Sequence, residues 1–572
     1  MRYVVLACDY DGTLASDGVV APSTVAALAR LRASGRKLIL VTGRELPDLQ
    51  RDFERVDLFD RVVAENGALL YRPAQDRQVP LAPPPSEAFV QALRSRGVEP
   101  LGVGRTIVST RRPNESLVLE AIGELGLELQ IIFNKGAVMV LPSTVSKCTG
   151  LLAALSELGL SPHNTVAIGD AENDHAFLRA SEAAVAVANA LSSLKEQADW
   201  TTSAARGAGV EELIDCVLHD DLRMLEPRLT RHHILLGTEA KQADRRVTLR
   251  PYRTSLLVAG SVKSGKSSLT LGILERLTDA GYQYCLIDPE GDYEAMPGAV
   301  NLGSERQPPT PEEVMHVLAR PDQSVVVSLL SLSGEDRPRY LAGLLPRLEQ
   351  LRVTTGRPHW LVLDEAHHVL PASWGPVDEA VPRAFASLVM ITLRPRGIAQ
   401  AALELVDTVC AVGNAPRTTI REFCDRVGVR EPAIPDVDLD KGDAVVWPRD
   451  EAQARHIHVE PSHGDRRRHR RKYALGELPP DRSFYFVGPE QRLHLRAYNL
   501  SVFLELADGV DDDTWLHHLR AGDYSRWVST ELKDKKLAKR LAAIEADSGV
   551  TPQDSRARVR AAIDERYAPP PE

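Results

Sequence analysis

Cysteine is scarce: six residues in a chain of 572, scattered and without paired metal-ligand spacing. That excludes a disulfide framework and a cysteine-based zinc module, and it implies inert thiols in a reducing compartment. No apolar run approaches the roughly 20 residues of a membrane span. Positive charge is not in excess either. The formal net charge is -10 and the pI about 5.9, so global charge gives no reason to coat nucleic acid or acidic lipid. No internal repeat is visible. No signal peptide is expected, because an apolar strand begins at once and its acids lie too near the terminus for cleavage upstream. The expected location is the cytoplasm, with no membrane partner. What remains is ordinary globular material, 43% hydrophobic and 26% charged, long enough for three or four domains.

The chain is organised around its first stretch, VVLACDYDGTL (residues 4–14). The apolar run reads as a buried parallel strand, and it ends in Asp9 and Asp11. Period two puts both acids on one side of the strand tip. Ligands of open α/β sheets sit outside the carboxyl ends of strands, and two acids so close call for a cation or proton between them. A helix over 23–34 follows, then the strand KLILV ending in Thr42-Gly43-Arg44, then a strand ending in AENGALLY. Residues 72–86, rich in proline and polar residues, read as a linker, and 86–142 as a compact inserted cap of helices and strands. Lys147 opens a helix through Leu158. The strand TVAIG then carries Asp170, Asn173 and Asp174 at its tip.

These tips supply the parts of magnesium-assisted phosphoryl transfer. Asp9 can take the phosphoryl group covalently. Asp11 can protonate the leaving oxygen and later deprotonate water. Thr42 and nearby amides can bind phosphate oxygens, and Lys147 can neutralise their charge. Asp170 and Asp174 suit an oxygen-loving divalent cation. In order, DYDGT, VTGR, Lys147 and GDAEND resemble the four motifs of the haloacid dehalogenase (HAD) superfamily, most closely its Cof-type phosphatases, over residues 1–215. The resemblance implies a Rossmann-like domain with a small αβ cap. It also implies Asp9 as nucleophile, Asp11 as general acid/base, Thr42 and Lys147 as phosphoryl-binding groups, and magnesium held by Asp9, Asp11, Asp170 and Asp174. In such enzymes the cap sets the substrate, which makes Arg105, Arg111, Arg112 and Asn134 candidates for reaching it.

A charged bridge over 216–232 marks a boundary. Beyond it, SLLVAGSVKSGKSSLTLGILERL has the strand–loop–helix context of a phosphate-binding P-loop. Its expected nucleotide-binding residues are Gly260, Ser264, Gly265, Lys266, Ser267 and Ser268, with Lys266 on the terminal phosphates and Ser267 on magnesium. HWLVLDEAHH makes a second buried strand, ending in Asp364 and Glu365. Asp364 can act through magnesium and Glu365 can activate water, which favours an ATPase over a kinase. With DPEGDY (288–293) and TLRP (392–395), residues 230–450 resemble the HerA–FtsK P-loop ATPases, known as DNA-pumping and secretion motors, in a domain expected over 230–460. That likeness implies ATP as cofactor and a homo-oligomer, with a hexameric ring as candidate form. Arg394, Arg396 and Arg417 are candidate arginine fingers. Leu393 stands where such motors usually carry a glutamine.

The run RRRHRRK (466–472) puts six positive charges in seven residues and is the one candidate nucleic-acid contact. Residues 473–548 read as a small α+β module with a core around Trp515, Leu519, Tyr524 and Trp527, and 549–572 as a polar tail. The expectation is therefore an α/β protein with two active sites: a magnesium-dependent phosphatase acting on a phosphorylated small molecule, joined to an ATP-binding and hydrolysing domain. The alternative is a DNA-associated ATPase or translocase whose phosphatase part trims nucleic-acid ends or nucleotides, as in repair or defence.

Overall fold

The computed structural model describes residues 1–134, 136–293, 296–373, 387–462, 478, 480–489, 493–532, 534–547 and 549–567. The chain divides into two compact units, Met1–Glu290 with Met296–His463, and Gly291–Ala295 with Gly464–Glu572. Among the described residues, no helix is long and apolar enough to cross a membrane.

The first unit holds two large sheets. One has eight strands. In chain order they are β1 (Val5–Asp9), β2 (Lys37–Val41), β3 (Arg61–Ala64), β4 (Leu69–Arg72), β5 (Arg77–Pro80), β10 (Thr165–Gly169), β11 (Ala183–Ala186) and β12 (Trp200–Thr201), arranged 12-11-10-1-2-3-4-5. The strands from β12 to β3 run parallel. β1 lies between β2 and β10, with Asp9 opposite Val41 and Cys8 opposite Ile168. All five residues of β1 are buried, as expected of a strand covered on both faces. Of residues 72–86, expected to be a linker, Arg72 and Arg77–Pro80 instead continue the sheet in the antiparallel hairpin β4–β5, and 81–86 lead on from it without strand or helix. Asp76, at φ 47°, closes its turn.

Between these halves an antiparallel sheet of β6 (Gly102–Val103), β7 (Val108–Arg111), β8 (Leu129–Asn134) and β9 (Ala137–Pro142) pairs in the order 8-9-7-6. Its helices Glu87–Ser95 and Glu115–Leu125 bury Phe89, Leu93, Val118 and Ala121 against it. The residues between 216 and 232 are not a loose bridge. The helix Arg206–Asp220 runs into them, and Leu222, Leu225 and Leu229 are buried in the first core.

The second sheet has eleven strands, β13 to β23. They are Ile234–Glu239, Gln242–Leu249, Ser255–Ala259 (β15), Tyr284–Asp288 (β16), Ala299–Leu302, Ser324–Ser328, Trp360–Leu363 (β19), Leu388–Thr392 (β20), Thr408–Val412 (β21), Asp443–Pro448 (β22) and Arg455–Val459 (β23). The order is 14-13-23-22-21-15-20-19-16-18-17. The seven strands from β21 to β17 are parallel, and β22, β23, β13 and β14 extend the sheet antiparallel.

The second unit is mainly helical around a two-stranded ladder, Phe484–Phe486 with Leu495–Ala497. Trp515, Tyr524 and Trp527 are buried there with Phe484, Phe486 and Phe503. The polar tail expected from residue 549 is instead a helix over Pro552–Tyr567. It buries Val559, Ala562 and Ile563, and its Ser555 accepts the Trp515 indole N–H at 2.8 Å. The basic run 466–472 lies outside the described residues.

Candidate active site

The first site is assembled from three neighbouring strand tips. Strands in a ladder are spaced about 4.8 Å apart, so the ends of β2, β1 and β10 bring Thr42, Asp9 and Asp170 to one edge. Lys147 arrives from the first turn of the helix Lys147–Leu158. Ser146 caps that turn by accepting the Thr149 N–H at 3.2 Å, while Thr149 Oγ1 accepts the Ser146 N–H at 3.0 Å. Gly67 permits this entry, since a Cβ there would lie 1.9 Å from the Ser146 carbonyl oxygen.

Lys147 Nζ bridges Asp9 Oδ1 and Asp174 Oδ1, each at 2.6 Å, with all three side chains buried. Asp174 Oδ2 accepts the backbone N–H groups of Asp170 and Ala171 at 2.8 and 2.9 Å. Burial and the neighbouring Asp174 push the Asp9 carboxyl up, against the pull of Lys147. Burial lowers the Lys147 ammonium, but Asp174 and Asp9 outweigh it and hold the lysine protonated. Carboxylate oxygens of Asp9, Asp170 and Asp174 lie within 4.8 Å of one another. An all-oxygen donor set with one lysine among three carboxylates fits magnesium, a hard cation.

Asp11, expected among the metal ligands, is not in this cluster. Its two carboxylate oxygens accept from Arg44 Nε and Nη2, each at 2.7 Å, and Arg44 also holds Asp52 at 2.6 Å. Asp11 lies past the end of β1, so strand periodicity does not govern where it points. Thr42 is buried and its Oγ1 accepts the Arg44 N–H at 3.2 Å.

Sequence reasoning missed three participants. Asn189 donates to Gly12 O at 2.8 Å and lies 3.5 Å from Asp170 Oδ2. Glu65 is buried, and its carboxylate accepts three cap N–H groups, Arg105, Thr106 and Ile107, at 3.1, 2.8 and 3.2 Å. Met139 of β9 stands over the tip of β2: a Cβ on Gly43 would lie 3.1 Å from Met139 Cε. Met139 packs with Ile107, Leu141, Val145 and Ala68, an apolar seam between cap and core. Only the AENG segment, which holds Glu65, hinted at any of these. Arg105, Arg111 and Arg112 are exposed, Arg112 over the Phe133 ring, and the Asn134 side chain lies outside the described residues.

At the second sheet the loop Gly260–Gly265 joins β15 to the helix Lys266–Asp279. Lys266 is buried and its Nζ donates to Gly260 O and Ser261 O at 2.8 and 3.0 Å. Gly260 must lack a side chain, because a Cβ there would lie 2.1 Å from Val412 O. Ser267 and Ser268 are half-buried in the helix's first turn, and Ser264 is half-buried in the loop. Asp364 is fully buried at the end of β19, followed by Glu365 at φ 40°. β20 lies between β15 and β19, and its Thr392 Oγ1 is 3.2 Å from His367 Nδ1. Burial, His368 and Lys266 lower His367 to about 4, so this ring, not singled out in the sequence, is neutral at pH 7. Arg394, Arg396 and Arg417 are exposed.

A family model described as haloacid dehalogenase-like hydrolase matches residues 6–100 and 118–214. A phosphoglycolate phosphatase of Methanothermobacter thermautotrophicus is 31% identical over 36% of this chain and 96% of its own. Phosphoglycolate phosphatase 2 of Saccharolobus solfataricus is 31% identical over 38% of this chain and 92% of its own. A solved haloacid dehalogenase-like hydrolase from Bacteroides thetaiotaomicron is 18% identical, covers 38% of this chain and all of its own, and has a TM-score of 0.33. With its four motifs gathered at one sheet edge, the chain belongs, through residues 6–214, to the haloacid dehalogenase-like hydrolases.

Proposed function

We propose that the N-terminal site hydrolyses the phosphomonoester of a small metabolite through an aspartyl-phosphate, and that the second sheet binds and hydrolyses ATP. The observation that carries the first half is Lys147 held between Asp9 and Asp174, with Asp170 beside those two carboxylates. An Asp9 oxygen attacks phosphorus and the bond to the leaving oxygen breaks. Lys147 and the Thr42 hydroxyl bind the phosphoryl oxygens as charge shifts onto them. Asp11, turned from Arg44, gives its proton to the leaving oxygen. Water then attacks phosphorus, its proton returns to Asp11, the Asp9–phosphorus bond breaks and inorganic phosphate leaves. Magnesium, held by Asp9, Asp170 and Asp174, supplies neutralisation of phosphate charge when bound.

The cap favours a compact substrate, since Met139 and the loop pinned by Glu65 close over the tip of β2. The named activity of the relatives makes phosphoglycolate the first compound to try. For the second sheet, the loop amides and helix N-terminus suit nucleotide phosphates. Lys266, turned onto its own loop, would swing to them. Ser267 and Asp364 would hold the metal, and Glu365 would orient water. This HerA-like reading rests on the convergence of the β15, β20 and β19 tips.

The test is phosphate release with magnesium from phosphoglycolate, sugar phosphates, nucleotides and end-phosphorylated oligonucleotides. Wild type would be run beside Asp9→Asn and Lys266→Ala. Release from a small metabolite, lost in Asp9→Asn alone, with ATP hydrolysis lost in Lys266→Ala alone, is the expected result. An oligonucleotide as best substrate, or ATP hydrolysis that rises with DNA, replaces it with the motor-coupled reading.

A further inference from the structure

Three side chains on the second sheet converge without any role in the chemistry above. Asp443 opens β22, and β23 runs antiparallel beside it, with Asp443 directly opposite His458 and Val445 opposite His456. His456 and His458 are two residues apart, so the ladder points both rings to one face. Asp443 Oδ1 is 2.7 Å from His458 Nδ1, and Oδ2 is 2.8 Å from His456 Nε2. One ligand atom from each residue lies within 4.8 Å of the other two. Val445 and Trp447, on the same face as Asp443, are buried in the sheet's core, so an apolar face ends in this triad. Asp443 is nearly buried, while the His458 side chain is 57% exposed, which leaves one side of the triad open to water.

Two imidazole nitrogens and one carboxylate oxygen are a borderline donor set. It suits zinc-class ions better than magnesium or calcium, which prefer oxygen throughout. Zinc bonds of about 2.0–2.1 Å in a tetrahedron set ligand atoms about 3.3 Å apart, so the present contacts need open by only about half an ångström. We propose that Asp443, His456 and His458 bind one divalent ion of the zinc class, with a solvent oxygen in the fourth position. The ion fastens β22 to β23 near the edge where β15 enters its loop.

The test uses the full chain stripped with chelator and held in millimolar magnesium to occupy the oxygen-only sites. Zinc is titrated against a chromophoric competitor, and cobalt by its visible absorption. One equivalent with four-coordinate cobalt bands is expected. The exposed His458→Ala and the conservative Asp443→Asn should each weaken binding by about tenfold or more. Zinc should raise the melting temperature of wild type but not of His458→Ala. Absence of binding at micromolar zinc, or cobalt bands unchanged in His458→Ala, overturns the assignment.

Discussion

Replacing Lys147 with methionine should unfold the phosphatase core more readily, and it should do so through Asp9. The ammonium lies 2.6 Å from one oxygen of Asp9 and 2.6 Å from one of Asp174. With charge centres about 3 Å apart and an effective dielectric of about 20, each pair attracts by roughly 5–6 kcal/mol gross. Desolvation takes back several kcal/mol per ion, and removing one partner of such a buried set costs about 3–5 kcal/mol net. The loss is large because three carboxylates then share one dry pocket. Asp9, already pushed up by burial and Asp174, must take a proton or repel its neighbours. Asp9→Asn removes that repulsion in advance. In a double-mutant cycle the pair should therefore lose about 1–3 kcal/mol less than the sum of the single variants. Urea unfolding in chelator, followed by circular dichroism, measures all four corners. Additive losses, or Lys147→Met as stable as wild type, would refute the charge argument. Magnesium should restore part of the single variant's stability, because a cation then replaces the missing ammonium.

Glu65→Gln should loosen the cap. Its three N–H donors lose a charged acceptor worth about 1.5–3 kcal/mol, so hydrogen exchange at residues 105–107 should quicken by about tenfold or more, and KM should rise more than kcat falls. Met139→Ala should widen the ceiling above Gly43, shifting the kcat/KM ratio of a bulkier to a smaller phosphoester by about tenfold; an unchanged ratio would remove Met139 from substrate selection. Burial raises Glu182, but His163 and Arg2 overcome it and hold the carboxyl far below the usual range. A depressed carboxylate contributes stability above its unfolded value of about 4.3, lost as pH falls. Glu182→Gln should therefore lower the melting temperature at pH 7 and narrow the gap from wild type below pH 4.

The strand tips were legible in the sequence because buried parallel strands are continuous apolar runs and their ends carry the polar residues. Asp9, Thr42 and Asp170 could be placed that way, as could the loop at Gly260 and the acids at Asp364, while Lys147 was read at the start of its helix. What escaped depends on contacts across the chain. Nothing local shows that Asp11 meets Arg44, that Glu65 holds the loop at Thr106, or that Asp443 faces two histidines. The hairpin over 69–80 was hidden by its prolines and polar residues. The helix Pro552–Tyr567 is charged along most of its length, and only Val559, Ala562 and Ile563 mark its inner side.

One buried carboxylate joins the two sheets of the first unit. Glu182 accepts from Arg2 at 2.5 Å, from the Tyr282 hydroxyl at 2.8 Å and pairs with His163 at 2.9 Å, while the other His163 nitrogen meets Ala280 O at 2.7 Å. Both ring nitrogens therefore lie against oxygen atoms, one from each sheet's side. His359 adds a second tie, Nε2 to Asn164 Oδ1 at 3.1 Å. The phosphatase is therefore not a detachable module. Cutting the chain near residue 230 would take the Tyr282 hydroxyl from Glu182 and the Ala280 carbonyl from His163 and bare that buried cluster. In a cell, a destabilising substitution beside Tyr282 would deplete phosphatase activity without touching Asp9, because quality control would clear both halves together.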